Sequence, residues 1–239
     1  TGVKQVHMMG LPSPYLLFTE ENIPIIRGAS QVYGLSFTPG TWIESLQISK
    51  GAGSVINGYE SMTGQINAEL KKPLTSERMF LNLFRSLEGR NELNFHAKTT
   101  LSSKLSANVF VHYNERSEKF DKNKDGFLDM PLSEQVNILS RFQYLDSEKG
   151  WVSFFNIRFL QDDKIFGQAD FVPKSHRNTT SVWGSEIVTN RYESSLKIGY
   201  VFPDLPFQSF GAQLAYSDHS QESYFGLRSY DVRHKSGFA

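Results

Sequence analysis

The clearest chemistry in the sequence lies in one stretch, Asp121-Lys-Asn-Lys-Asp-Gly-Phe-Leu-Asp129. Asp121, Asn123, Asp125 and Asp129 stand at positions 1, 3, 5 and 9, with Gly126 at position 6 and the Phe127 carbonyl at position 7. Ca2+ takes about six to eight hard oxygen ligands, and this spacing of carboxylates, amide oxygen, carbonyl and sharp glycine turn matches the opening of a calcium loop. The match is incomplete. Leu132 occupies the twelfth position, where a bidentate Glu is usual, and Glu134 lies two residues late. The competing explanation is a solvated loop rich in Asp, Asn and Gly, whose side chains hydrogen-bond their own backbone. Ca2+, in a structural role, is the one cofactor the sequence calls for; nothing in it calls for an organic cofactor.

A second group is His7-Met8-Met9, whose imidazole and thioethers suit copper or haem iron. Against it, methionine commonly fills core gaps. Other constellations fall away. Asp162–Asp163 and Glu20–Glu21 are adjacent pairs, and neighbours in a strand point to opposite faces, so neither makes a catalytic carboxylate couple. His176 and Arg177 would suit an anionic ligand, but they sit in a long stretch that reads as solvated loop. There is no phosphate-binding Gly-Lys-Ser/Thr loop and no Gly-x-Ser-x-Gly elbow. With no cysteine, disulfides, thiol nucleophiles and Cys-based zinc sites are excluded. The expectation is a protein that is not an enzyme. Charge is balanced, 25 basic against 25 acidic residues, so no net field draws nucleic acid and that partner is set aside.

Two segments of different grammar must carry these groups, 1–76 and 77–239. In the first, Tyr15-Leu-Leu-Phe-Thr19 reads as a buried strand and Ile23-Pro-Ile-Ile26 as its partner, joined at Glu21–Asn22 by a tight turn, since Asn tolerates positive φ. In Trp42–Lys50, Trp42, Leu46 and Ile48 are expected to share a mostly apolar face. Gly51, Gly53, Gly58 and Gly64 then punctuate a compact loop.

The second segment alternates. Leu93, Phe95, Ala97, Thr99 and Leu101 interleave with Glu92, Asn94, His96, Lys98 and Thr100. The same period of two sets Val109, Val111 and Tyr113 against Asn108 and His112, and Leu196, Ile198 and Tyr200 against Ser195 and Lys197. About eight strands follow from this pattern, at 77–87, 92–102, 104–115, 134–146, 150–161, 190–202, 207–218 and 222–232. Tight turns at 102–104, 146–149 and 203–206 fall at every second connection, whereas 116–133 and 162–189 are long. A transmembrane barrel has this asymmetry, short turns on one side and longer loops on the other. No run of about 18 apolar residues suggests a membrane helix, and barrel strands would leave no such run. Aromatic content of 13%, with 19 Phe and 10 Tyr, suits interface girdles. Tyr113, Tyr144, Trp151, Phe159, Tyr192, Tyr200 and Phe202 fall near strand ends. The rival reading is a calcium-stabilised soluble β-rich adhesion or glycan-binding module, because a β-sandwich also alternates.

The run Leu46 to Ser54, followed by Asn57-Gly-Tyr-Glu-Ser-Met-Thr-Gly-Gln-Ile-Asn67 and Lys71-Lys-Pro73, resembles the plug signature of TonB-dependent outer-membrane receptors. Gly10 to Tyr15, Glu21–Asn22, Ile23-Pro-Ile25, Val32-Tyr-Gly-Leu35 and Pro39 to Glu44 fit the same pattern. Departures are Asn57 for Tyr, Thr63 for Gly, Ala52 for Pro and Ser45 for a basic residue; Lys50 and Glu60 keep their places.

The resemblance implies a mainly β fold: a small mixed α/β plug domain over 1–76, then antiparallel strands of a large transmembrane β-barrel over 77–239. Thr1 opens directly into structured-looking sequence, so the chain is expected to be a fragment at both ends; relatives close with about 22 strands and eight enclose only side chains, so further strands are expected beyond it. By the same resemblance the protein is expected in the outer membrane of a Gram-negative bacterium, amid lipid or lipopolysaccharide. It would be driven by the TonB complex acting on a segment upstream of Thr1, and would import a ferric siderophore, haem, cobalamin or a metal complex. The Asn57-to-Ser61 spelling is similar to that of copper and heavy-metal receptors in the family. Two plug loops would face the ligand, with Gly10, Leu11, Ser13 and Tyr15 on one and Arg27, Gln31 and Tyr33 on the other.

Overall fold

The computed structural model describes residues 3–53, 59–205 and 207–239. Ser54, Asn57 and Gly58 of the glycine-rich motif lie outside the described residues. The chain divides into two compact units, Val3–Thr75 and a second that runs from Ser76 to Ala239.

The first unit is built on a four-stranded sheet. Its strands are β1 (Leu16–Glu20), β2 (Ile23–Pro24), β3 (Ile43–Lys50) and β4 (Gly64–Leu70), in the order β2-β1-β4-β3. β1 runs parallel to β4, and the other pairs are antiparallel. Glu21 and Asn22 both take left-handed backbone, at φ 55° and 64°. That is the conformation a two-residue hairpin turn requires for its twist to match the strands. Glu21 can sit there because its buried carboxylate accepts the Leu70 N–H at 3.0 Å. Asn67 on β4 secures the same corner, its Oδ1 accepting from Thr19 Oγ1 and the Asn22 N–H, each at 2.8 Å. Met8, Leu16, Phe18 and Ile26 form the core. The helical part expected of this unit consists of short 3-10 turns, among them Ser13–Tyr15, Gly28–Gln31, Gly34–Ser36 and Gly40–Trp42.

Trp42 does not share a strand face with Leu46 and Ile48. It closes the turn Gly40–Trp42 and is fully buried, while Leu46 and Ile48 are 55% and 58% exposed. The ladder of β3 slips between Ile43 and Ser45, and this irregularity breaks the alternation that would have aligned the three side chains.

The second unit carries an eight-stranded sheet in which every strand neighbours the next in sequence. Its members are β5 (Met79–Arg85), β6 (Arg90–Thr100), β7 (Leu105–Arg116), β8 (Leu132–Asp146), β9 (Trp151–Gly167), β10 (Gly184–Val201), β11 (Ser209–Phe225) and β12 (Arg228–Phe238). A short helix, α1 (Pro173–His176), lies between β9 and β10. Connections 101–104, 147–150 and 202–208 fall at one end of the sheet, and 86–89, 117–131, 168–183 and 226–227 at the other. The tight-turn and long-loop ends are therefore separated, as the spacing predicts.

Three strands run further than the apolar pattern suggests. β9, β10 and β11 reach Gly167, back to Gly184, and to Phe225, so the long loop shrinks to 168–183. Many of the extra pairs, such as Gln135↔Asp162 and Ser133↔Lys164, are polar, although Leu132↔Ile165 is not. Ladder hydrogen bonds do not require apolar side chains, so periodicity in hydropathy underestimates such strands. The segment expected as an eighth strand at 222–232 is instead split by a turn at Gly226, where φ is 61°.

Burial in this sheet is inverted. Asn94, Asn108, Asn137, Arg141 and His219 are at most 1% exposed, whereas Ile157 is 49%, Leu214 54% and Tyr192 58% exposed. Register aligns Phe95, Val111, Ile138, Phe159 and Tyr192 in one outward row. Asn94, His112 and Asn137 lie on the opposite face. A water-soluble sheet would bury the first row and hydrate the second. Among the described residues the eight strands form one sheet, and its apolar row stays substantially exposed.

Candidate ligand-facing loops

In the first unit, Met8 and Leu11 exchange backbone hydrogen bonds at 3.0 and 3.1 Å around Met9 and Gly10, whose φ values are 52° and 83°. This tight turn points consecutive side chains in opposite directions. Met8 is buried in the core and Met9 is 70% exposed at the tip. His7 is exposed as well. The trio His7, Met8 and Met9 is thus not brought together, because the Met8 thioether is committed to packing. An added Cβ on Gly64 would come within 2.6 Å of that sulfur.

Gly10 and Leu11 are exposed. Ser13 works inside the loop: its Oγ donates to the Val6 carbonyl at 3.2 Å and accepts the Val6 N–H at 3.3 Å. Tyr15 is 38% exposed, and its carbonyl accepts both the N–H and the hydroxyl of Thr63.

In the second loop, Ser30 Oγ accepts the Arg27 N–H at 3.0 Å and donates to the Arg27 carbonyl at 2.9 Å, closing the turn. Arg27 Nε donates to Glu60 Oε2 at 2.5 Å. Gln31 is half-buried and Val32 is 49% exposed. Tyr33 departs from expectation: it is 8% exposed and belongs to the core. The turn around Glu60, Tyr59–Ser61, also packs on Ser13–Tyr15, so it touches both loops. The sequence pattern singled out neither Val32 nor the partnership of Glu60 with Arg27.

The Asp-rich loop of the second unit is internally bonded. Asp121 accepts the N–H of Asp125 at 3.2 Å and of Gly126 at 2.9 Å. Asp125 accepts the Phe127 N–H at 2.8 Å, and Asp129 the Lys122 N–H at 2.8 Å. Asn123 Nδ2 donates to Asp125 Oδ2 at 2.9 Å. Lys124 and Gly126 take φ of 58° and 83°, which folds the chain back over the carboxylates. Among the described residues, no three His, Cys, Asp or Glu side chains gather around one point as a metal cage. The loop is also stitched to its neighbour: Ala169 N donates to the Gly126 carbonyl at 2.8 Å and Leu128 N to the Gly167 carbonyl at 2.9 Å.

That neighbour, 168–183, is seated by Phe171, which is 4% exposed and occupies the space a side chain on Gly184 would need. Arg177 lies over the Tyr224 ring at 5.3 Å, and His176 Nδ1 accepts the Val172 N–H at 3.0 Å. Both residues therefore help hold the loop. Asp162 and Asp163 are split between the two faces, Asp162 meeting Gln135 Nε2 at 3.3 Å and also Lys164.

Several solved structures share this fold. The siderophore receptor PiuA from Acinetobacter baumannii matches with a TM-score of 0.66 and 13% identity, over 92% of this chain and 31% of that one. The ferripyoverdine receptor of the outer membrane of Pseudomonas aeruginosa, bound to ferripyoverdine, gives 0.53 and 13%, over 98% and 41%. The copper transporter OprC gives 0.54 and 10%, over 99% and 45%. No protein-family model matches the chain, and neither does any curated protein sequence. The likeness is one of fold, and the chain spans less than half the length of each structure it matches.

Proposed function

We propose, from a fold shared with TonB-dependent outer-membrane receptors, that this chain is the later part of a plug followed by the first eight strands of a transmembrane barrel, in a receptor that imports a scarce ligand. The observation that carries this reading is the inverted burial of the eight-stranded sheet. Outward rows of Val, Ile, Phe and Tyr suit hydrocarbon, and the buried face, rich in Asn, Arg and His alongside Phe110, Leu139 and Leu160, suits a mostly polar lumen. The outer membrane of a Gram-negative bacterium is the location that follows. Import needs no bond-making step. It needs a plug whose closed and opened states bind the ligand differently, with energy supplied by the TonB complex.

The ligand-facing surface in this reading is formed by Gly10, Leu11, Tyr15, Arg27 and Gln31, joined by Met9 and Val32. A mixed apolar and polar surface, with the Arg27 guanidinium at its edge paired to Glu60, fits a metal chelate that presents both apolar and hydrogen-bonding groups. The structural neighbours are a siderophore receptor, a ferripyoverdine receptor and a copper transporter, which supports a ferric siderophore or copper complex over haem or cobalamin. We also propose Ca2+ as a structural occupant of loop 121–129, on the strength of its ligand spacing and the sharp turn at Gly126.

The test uses the full-length receptor in its native outer membrane. Deletion should abolish TonB-dependent uptake of one labelled siderophore or copper complex, and the purified receptor should retain that complex. Recovery of the full-length protein as a detergent-free soluble monomer would end the reading.

A further inference from the structure

We infer that His219 and His234 form a two-imidazole site for Cu2+ on the polar face of β11 and β12. The two residues are directly opposite partners in the antiparallel ladder. Opposite residues in such a ladder hold their Cβ atoms about 5 Å apart on one face. One step down the same face, Ser217 Oγ and Ser236 Oγ meet at 2.7 Å, so side chains in this register do converge. Two longer imidazole arms one step above have the reach to place a nitrogen each at about 2.0 Å from a single ion. His219 is fully buried and His234 half-buried, so one ligand is held in place while the other side stays open to solvent or cargo.

The surroundings select the metal. Arg191 lies opposite His219 on the other side, and Glu193 and Arg158 are close by. Arg191 is turned to Glu193, with Nε and Nη2 at 2.9 and 2.6 Å from Oε1, and Arg158 Nη1 reaches the same carboxylate at 3.1 Å. Among the described residues, the carboxylate nearest the pair on this face, that of Glu193, is therefore occupied by guanidinium groups. A hard ion such as Mg2+ or Ca2+, which depends on carboxylate oxygens, meets a carboxylate that is already engaged. Imidazole suits the later first-row ions, and Cu2+ binds such nitrogen sites most strongly among them. Gln221, Thr189 and the Ser217–Ser236 hydroxyls are further polar groups within a step of the pair. A role for the site as a station for imported metal rests on the import reading. The binding itself does not.

The experiment is electron paramagnetic resonance of the full-length receptor, stripped with a chelator and titrated with CuCl2. The expected result is one ion showing hyperfine coupling to two imidazole nitrogens. His219→Ala and His234→Ala should each remove one coupling and weaken binding by more than about 10-fold, the loss that even an outer partner of a metal site causes. His176→Ala should leave the spectrum unchanged. His219→Gln, which keeps a polar wall, guards against misfolding and should behave as His219→Ala does. Unaltered copper binding in the β11 or β12 variants, or a spectrum that follows His7 or His176 instead, would overturn the assignment. A receptor that imports its ligand but binds no copper at this pair sinks the site alone. One that binds copper through both histidines yet imports nothing sinks the import reading alone.

Discussion

Arg27 Nε donates to Glu60 Oε2 at 2.5 Å, and this bond ties the loop at 27–33 to the turn that packs on Ser13–Tyr15. The Arg27 side chain is 40% exposed and that of Glu60 13%, so solvent screens the pair and its contribution is about 1 kcal/mol or less. Its larger effect is on loop order. Glu60→Gln should raise amide hydrogen exchange across 27–33 several-fold while leaving overall stability nearly unchanged, and should weaken ligand binding at the proposed surface. Unchanged exchange in that segment would remove the coupling between the two loops.

Met8 and Met9 should answer differently to the same substitution. Met8→Ala empties a packed core position and is expected to cost about 2–5 kcal/mol. Met9→Ala trims an exposed tip and should stay within about 0.5 kcal/mol. Denaturant titration of the full receptor checks the pair. Equal losses would contradict the turn geometry that separates the two side chains.

The inverted sheet makes a prediction about charge. Ile157 lies in the outward apolar row of β9, 49% exposed. Ile157→Arg should cost about 2–4 kcal/mol in lipid, as cations on a barrel's lipid face do. Gln213→Glu lies on the polar face, opposite Lys197. It should be neutral within about 0.5 kcal/mol. Folding of the full-length receptor into liposomes measures both. A reversed order would place water where hydrocarbon is proposed.

Loop 121–129 tests the calcium proposal. Hydrogen exchange across 121–131 and in the linked segment 167–171 should slow when Ca2+ replaces a chelator such as EGTA. Asp121→Ala should erase the difference. Without a glutamate at the twelfth loop position, affinity should fall in the weak class, with Kd of about 0.1–1 mM. Identical exchange with and without calcium would leave the carboxylates as caps of their own backbone and nothing more.

Local rules reach far in this chain because strands write their faces with a period of two. Alternation at Leu93, Phe95 and Ala97 against Asn94, His96 and Lys98 was enough to place β6 and assign its faces. A tight turn at Glu21–Asn22 followed from the tolerance of Asn for positive φ, and turn spacing located both ends of the sheet. The sequence by itself determined these things because each depends on neighbours two to four residues away. It could not decide which side chains a tight turn sends inward. Met8 was readable either as a metal ligand or as core filler and Tyr33 stood on a ligand-facing loop by resemblance; packing put both in the core. It could not foresee that Trp42 would leave its strand at a slipped register, or that polar residues would extend β9 to β11. Nor could it join Arg27 to Glu60, or set His219 opposite His234. Those pairings depend on register and packing between segments far apart in the chain, and only the assembled tertiary structure fixes them.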